Sequence, residues 1–334
     1  MNKLLFGLIA GLLMGFTVSA AAAATADLKY GLYIHYGMDT FSHAGEKGRL
    51  PVERFAPPSV NVKSWARAAA QAGMSFAVLT AKHESGFCLW ASKAGDYDIA
   101  HSPFQGDLMA DFIAACKAEG IVPGVHYSIP DVCNEGAVHF QGDVAPAYFE
   151  VIKQHVTELN TQYPELRVLI LDISSRLSPA QLDELSQIVK RLNPQCAVWT
   201  TERGGMSGGP NHVAATVNKS WMWSLKSPLN PAPQLFHAYQ QSQSAGKAFL
   251  LNVGPLPSGT IPDDQLAVLK QMKNLIANPP PPPVAPVVAA PAVAAPDAKP
   301  DAAERLKKIK SLYEQGLINK EDYEKKVKEI MDAL

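Results

Sequence analysis

The chain has 334 residues, 47% of them apolar and 18% charged, with a formal net charge of −1. That balance is enough for a large core. It excludes nucleic acid as a partner, because no basic stripe is present to neutralise phosphates. In chain order, the N-terminus comes first. Lys3 gives a positive start, Leu4–Val18 an apolar core, and Ser19-Ala20 with the following alanines a set of small-residue cleavage sites. This is the pattern of an export signal over residues 1–24. A membrane anchor is the alternative, but the apolar stretch is short for a spanning helix. The reading is therefore a periplasmic or secreted protein with no integral membrane span after cleavage. Export would allow Cys88, Cys116, Cys133 and Cys196 to oxidise in any of three pairings. Buried free thiols are the simpler reading. The cysteine spacing is not that of metal ligands, and neither a metal nor a cofactor is expected.

From residue 27 to 277, strand-like and helix-like runs alternate. The strand candidates are Tyr30–Tyr36, Ser75–Thr80, Val122–Tyr127, Arg167–Leu171, Ala197–Thr201, Ser220–Trp223 and Ala248–Asn252. Between them, Val62–Ala72 and Leu108–Glu119 are amphipathic helices ending at Gly73 and Gly120, which suit the C-cap conformation. Ser178-Pro179 with Gln181 reads as a capping box opening another helix. Strands followed by helices at this rhythm predict an α/β fold on a parallel sheet. A TIM-like (β/α)8 barrel with some irregularity is the preferred closure, and an open doubly wound sheet is the alternative. No Gly-rich loop follows the first strand, which argues against nucleotide binding.

Residues 278–300 are almost entirely Pro, Ala and Val, a semi-rigid extended linker. Residues 301–334 follow as a charged helical hairpin. Leu306, Ile309 and Leu312 have helical spacing, Gly316-Leu317-Ile318 marks a turn, and Tyr323, Val327, Ile330 and Leu334 line a second helix. So small a core favours association with further copies.

In a barrel, ligand-binding side chains sit at the C-terminal ends of the strands. Those ends carry His35-Tyr36, Lys82-His83-Glu84, His126-Tyr127-Ser128, Asp172 and Thr201-Glu202-Arg203, with Trp221 and Trp223 in the sixth run. Histidines, carboxylates and aromatic rings recurring at one end have the composition of a sugar pocket. The rings offer a wall for C–H faces, the polar groups bind hydroxyls, and the carboxylates suit acetal chemistry.

The segment from about Tyr30 to Ile276 resembles the alpha-L-fucosidases, glycoside hydrolase family 29. The likeness rests on Gly31–Gly37, Phe55-Ala56-Pro57-Pro58 with Trp65-Ala66, Ala77–Trp90, Gly124–Ser128 and Leu250–Pro262. The resemblance implies an exported retaining exo-glycosidase acting on a fucosylated or related deoxy- or galacto-configured glycan. Asp172 would be its nucleophile, and His35, His83 and Tyr127 its sugar contacts. The chain departs from the family pattern in several places. Glu84 stands for a second histidine and Ser85 for an aspartate, Ile173-Ser174 follow Asp172, and the segment around Arg203 is altered. Glu202 is the first candidate for the acid/base and Glu84 the second, while Glu84, Arg203 and Trp221 are further candidate substrate contacts. The tail resembles the short C-terminal (SHOCT-like) domain, which implies homo-oligomerisation through its helices. Two other readings remain: a catalytically impaired glycan-binding relative, and a scaffold protein assembled through its tail.

Overall fold

The structure, a computed structural model, describes residues 27–42, 46, 48–136, 140–201, 208–225, 227–281, 302–314 and 320–332. Seven strands pair in parallel: β1 (Tyr30–Ile34), β2 (Phe76–Lys82), β3 (Val122–Ser128), β4 (Val168–Asp172), β5 (Ala197–Thr200), β6 (His212–Thr216) and β7 (Ala248–Val253). Their order is β5-β4-β3-β2-β1-β7-β6. Helices α1 (Val62–Gln71), α2 (Leu108–Ala118), α3 (Pro146–Gln162), α4 (Pro179–Leu192), α5 (Ala232–Ser244) and α6 (Asp263–Ala277) lie along the outside.

Local chemistry accounts for most of these boundaries. Asn61 and Asp107 cap α1 and α2 by accepting backbone N–H groups of Ser64 and Ala110. Gly73 and Gly120, just past those helices, have φ of 75° and 70°, which glycine adopts without a Cβ clash. Both bonds of the Ser178/Gln181 capping box form at the start of α4.

The sheet curls into a half-barrel, and side-chain contacts show how far. Phe76 of β2 meets Trp199 of β5 edge-on at 5.8 Å between ring centroids, across two intervening strands. Trp199 in turn stacks on His212 of β6 at 5.4 Å. Those two residues belong to opposite edges of the sheet. Among the described residues there are thus seven strands rather than the expected eight. The edges β5 and β6 meet through bulky rings where no backbone ladder joins them.

The sixth strand also differs from expectation. It is His212–Thr216, and Ser220–Trp223 belongs to the loop that follows. The Trp221 carbonyl in that loop accepts a bond from Asn252 Nδ2 at 2.8 Å rather than joining a ladder. The aromatic residues there carry strong β propensity, whereas the true strand, His-Val-Ala-Ala-Thr, has Ala214 and Ala215, which disfavour strands, at its centre.

Period-2 alternation divides the core. Tyr33, Phe76, Val78, Val168, Ile170, Trp199, Ala214 and Leu250 fill the inside of the curl. Leu32, Leu79, Val125, Leu169, Leu251 and their neighbours face the helices. Behind β2 lies a fully buried ion pair, Lys82 Nζ to Asp131 Oδ2 at 3.1 Å, with the Tyr148 hydroxyl 3.2 Å from Lys82 Nζ. The four cysteines are free thiols.

In the second unit, Pro281–Leu334, helices α7 (Ala302–Glu314) and α8 (Lys320–Met331) pair, with Tyr313 stacked on Tyr323 at 4.7 Å. The expected signal over residues 1–24, almost all of the linker and the hairpin turn at Gly316-Leu317-Ile318 lie outside the described residues. Among the described residues, no helix is long and apolar enough to cross a membrane.

Two stability predictions follow from the helix-side core. Lys82→Met strands the Asp131 carboxylate in the interior and is expected to cost about 3–5 kcal/mol. The double variant with Asp131→Asn should recover part of that loss in chemical denaturation. His155 on α3 is buried against Trp90 and bonds the Tyr127 hydroxyl through Nδ1 at 2.9 Å. Burial, reinforced by the charge of Lys82, lowers its pKa to about 4. The unfolded chain therefore takes up this proton below about 6.5 while the folded chain does not. Folding stability should fall as pH drops from about 6.5 to 4, by on the order of 3 kcal/mol at most from this group. Denaturation midpoints should fall less steeply across that range in His155→Gln, the remaining slope coming from the other buried histidines with lowered pKa.

Candidate active site

Because successive strand residues face opposite sides, residues two apart project together. On β1 and just beyond it, Tyr33 and His35 both point inward, and their rings lie 4.6 Å apart. On β3 the inward series is Gly124 and His126, with a Cβ at Gly124 set to meet Val168 and Val78 of the neighbouring strands. On β4 it is Val168, Ile170 and Asp172. On β7, Leu250 and Asn252 share the inner face. A register shift in β2 between Thr80 and Lys82 breaks the alternation. It sends Lys82 to the helix side and presents His83 at the mouth of the curl. Gly86, four residues after Lys82, has φ of 82°, and a Cβ there would lie 2.4 Å from Asp131 Oδ1. Glycine is therefore required for the turn that follows His83.

Three histidines meet at this end. The ring of His35 lies 5.5 Å from that of His83 and 5.2 Å from that of His126, and His83 stacks on His126 at 5.8 Å. One ring nitrogen from each lies within 4.8 Å of the others, so the group can hold a metal ion. Every Nδ1 has a partner: Asn252 Oδ1 at 2.7 Å for His35, Asp39 Oδ2 at 2.9 Å for His83 and the Tyr33 hydroxyl for His126. Asn252 also donates through Nδ2 to the Trp221 carbonyl. Its Oδ1 must then be an acceptor, which assigns the His35 proton to Nδ1 and leaves Nε2 with a lone pair.

Burial is the main force that drives the pKa of both His35 and His126 well below the ordinary value, and neighbouring histidines add to it. Both rings are neutral near pH 7. His83 behaves oppositely. Burial disfavours its charge, but the Asp39 bond and the carboxylates of Asp39, Glu84 and Asp172 outweigh burial and raise its pKa.

Asp172 ends β4 at a constrained corner. Ile173 adopts φ 52°, ψ 43°, the left-handed region that a β-branched residue rarely enters. Thr201 holds the corner. Its hydroxyl donates to Asp172 Oδ1 and accepts from Ile173 N at 2.9 Å, while its carbonyl accepts from Ser174 N and Ser174 Oγ. Behind the corner, Arg176 makes two bonds to Glu135, at 2.5 and 2.6 Å. That buried pair ties the β4 loop to the β3 loop.

Of the residues expected from sequence, His35, His83 and Trp221 come together, with Trp221 tilted over His35 at 5.0 Å. Asp172 lies near enough for its charge to act on His83 and Tyr33. Glu84 is partly buried beside His83 and adds to the same field. Tyr127 is not brought to this cluster. Its parity turns it toward the helices, where it contacts His155 and lies under Lys82. The inward neighbour is His126. Glu202 and Arg203 lie outside the described residues.

Sequence reading placed His126 and Thr201 at strand ends without giving them a role, and it did not single out Tyr33, Asp39 or Asn252 as site residues. Tyr33 and His126 were available from alternation on their strands. The other three act through tertiary hydrogen bonds. The arrangement offers hydrogen-bonding nitrogens, an indole wall and a carboxylate at one opening, a combination suited to a polyhydroxylated ligand.

The corner can be tested directly. Ile173→Asn, which tolerates the left-handed conformation, is expected to stabilise the fold by about 1 kcal/mol. Thr201→Val removes a bond to a charged group and should destabilise it by about 2 kcal/mol. Thermal unfolding of the two variants would check the opposite signs.

Residues 51–278 match the family described as alpha-L-fucosidase. Alpha-L-fucosidase 1 of Arabidopsis thaliana is 26% identical over 297 residues, covering 73% of this chain and 58% of the plant protein. The chain thus spans less than two thirds of that relative. Among solved structures, alpha-L-fucosidase isoenzyme 1 from Paenibacillus thiaminolyticus superposes with a TM-score of 0.65 at 25% identity, covering 78% of this chain and 76% of that one. Unliganded alpha-L-fucosidase AlfC from Lactobacillus casei gives 0.65 at 22% identity, with 76% and 98% covered. These superpositions establish an α/β fold like theirs.

Proposed function

The chain belongs to the alpha-L-fucosidase family, and on that premise we propose that it is a retaining glycoside hydrolase acting on a terminal alpha-L-fucoside or a closely related sugar, with Asp172 as nucleophile. The observation that carries this reading is Asp172 itself. It ends β4 on the inner face, at the same opening as His35, His83 and Trp221, with its carboxylate held by Thr201.

In the first step an Asp172 oxygen bonds to the anomeric carbon as the glycosidic C–O bond breaks, and a protonated carboxyl group gives its proton to the leaving oxygen. In the second, that carboxylate takes a proton from water as the water oxygen displaces Asp172. Glu202 is the proposed acid/base. It directly follows Thr201, which touches Asp172. Glu84, beside His83, is the alternative. A retaining pair needs its carboxyl groups about 5–5.5 Å apart. His35 Nε2 accepts from a sugar hydroxyl, His83 donates to one when protonated, Trp221 covers the apolar sugar face, and Arg203 supplies a further polar contact.

The proposal extends to the rest of the chain: residues 1–24 direct export to the periplasm or beyond, and the SHOCT-like tail joins copies of the protein.

An aryl alpha-L-fucoside assay tests the activity. The unmodified protein should release the phenol, and Asp172→Ala should lose roughly 10³-fold or more in kcat while keeping its fold. Azide should restore turnover in that variant by forming the inverted fucosyl azide. Equal activity in Asp172→Ala removes it from the mechanism. Fucose binding without turnover of any aryl glycoside assigns the protein to glycan binding instead.

A further inference from the structure

We propose that His35, His83 and His126 form a binding site for one divalent transition metal ion of the zinc class. One nitrogen from each ring already lies within 4.8 Å of the other two. Zn–N bonds of about 2.0–2.1 Å in tetrahedral geometry set the nitrogens about 3.4 Å apart, so small ring rotations close the site.

The surrounding bonds have the form that metal-ligating histidines require. A ligating imidazole gives its other N–H to a fixed oxygen, which sets its tautomer and aims its lone pair. His35 does this toward Asn252 Oδ1, a group that the Trp221 carbonyl obliges to accept. His83 does it toward the Asp39 carboxylate. His126 has its Nδ1 occupied by the Tyr33 hydroxyl, while its Nε2 is buried without a hydrogen-bond partner among the described residues. A buried imidazole nitrogen with no partner is costly in a purely structural role. Coordination gives it one.

The ligand set selects the metal. Neutral imidazoles without thiolate suit Zn²⁺, Co²⁺ or Ni²⁺ rather than Ca²⁺ or Mg²⁺. His35 and His126 are 3% and 2% exposed, and the His83 side chain is 20% exposed. The fourth coordination position therefore opens on the His83 side, where water or a hydroxyl can enter. A bound ion takes the same free ring nitrogens of His35 and His83 that the proposed function gives to sugar hydroxyls, so metal and sugar exclude each other there. The site stands on the histidine geometry, and its test reads metal binding without glycoside turnover.

The test uses the full chain, prepared without a polyhistidine tag and stripped with a chelator. Titration with Co²⁺ should give a tetrahedral visible spectrum saturating at one ion per chain, and Zn²⁺ should abolish that spectrum stoichiometrically. His83→Gln and His126→Gln should each weaken binding at least about tenfold, and Asp39→Asn, which leaves all three ligands in place, by about 10- to 100-fold. Cys133→Ser should bind as the unmodified chain does. Circular dichroism confirms that each variant is folded. The proposal is overturned if no tetrahedral Co²⁺ spectrum appears, if Zn²⁺ affinity survives in the folded histidine and Asp39 variants, or if it is lost in Cys133→Ser.

Discussion

The alternation of side chains along parallel strands governs this molecule. Each strand has one face toward the helices and one toward the inside of the curl, and the inner faces converge at the strands' C-terminal ends. A shift of one residue on any strand would exchange a pocket group for a core group. The pair His126 and Tyr127 makes the point: the first meets two other histidines, and the second is buried against His155. The β2 irregularity uses the same rule in reverse. By breaking the alternation after Thr80, it puts Lys82 into a buried ion pair and His83 into the pocket.

Around that opening, polar groups hold one another rather than relying on solvent. Asn252 joins β7 to His35 and to the Trp221 loop, so one amide sets both a tautomer and the position of an aromatic wall. Thr201 does the same for Asp172 and for the strained Ile173 backbone. The strain at Ile173 lies next to the candidate nucleophile, where local backbone energy is most often held by surrounding structure for a functional end. Two buried ion pairs, Lys82–Asp131 and Arg176–Glu135, stiffen the loops behind these residues. The pocket is thus supported by charges turned away from it.

The histidine cluster sets apart the two roles this pocket can have. Low basicity at His35 and His126 makes them hydrogen-bond acceptors or metal ligands, whereas His83 is biased toward carrying a proton by three nearby carboxylates. A sugar hydroxyl or a metal ion would each satisfy lone pairs that the protein leaves directed inward. The gap between β5 and β6, bridged by Trp199 on His212, lies along the same inner surface and places a further buried imidazole within reach of the Asp172 charge.

The sequence by itself determined the alternating α/β architecture, the helix caps at Gly73, Gly120 and Ser178, and the presence of His35, His83 and Asp172 at strand ends. These features are encoded by neighbours within a few residues, through periodicity, capping chemistry and motif. Only the tertiary structure decided the rest. The sixth strand fell on His212–Thr216 because that segment pairs in parallel with β7, although the Trp-rich segment downstream has aromatic residues of strong local propensity. His126 rather than Tyr127 joined the cluster because the register of β3 against β2 and β4 fixes which residue faces inward. Asn252, Thr201 and Asp39 acquired their roles through hydrogen bonds to residues 29 to 217 positions away in the chain. Contacts at that range leave no local pattern in a single sequence, so they become legible only once the sheet has curled.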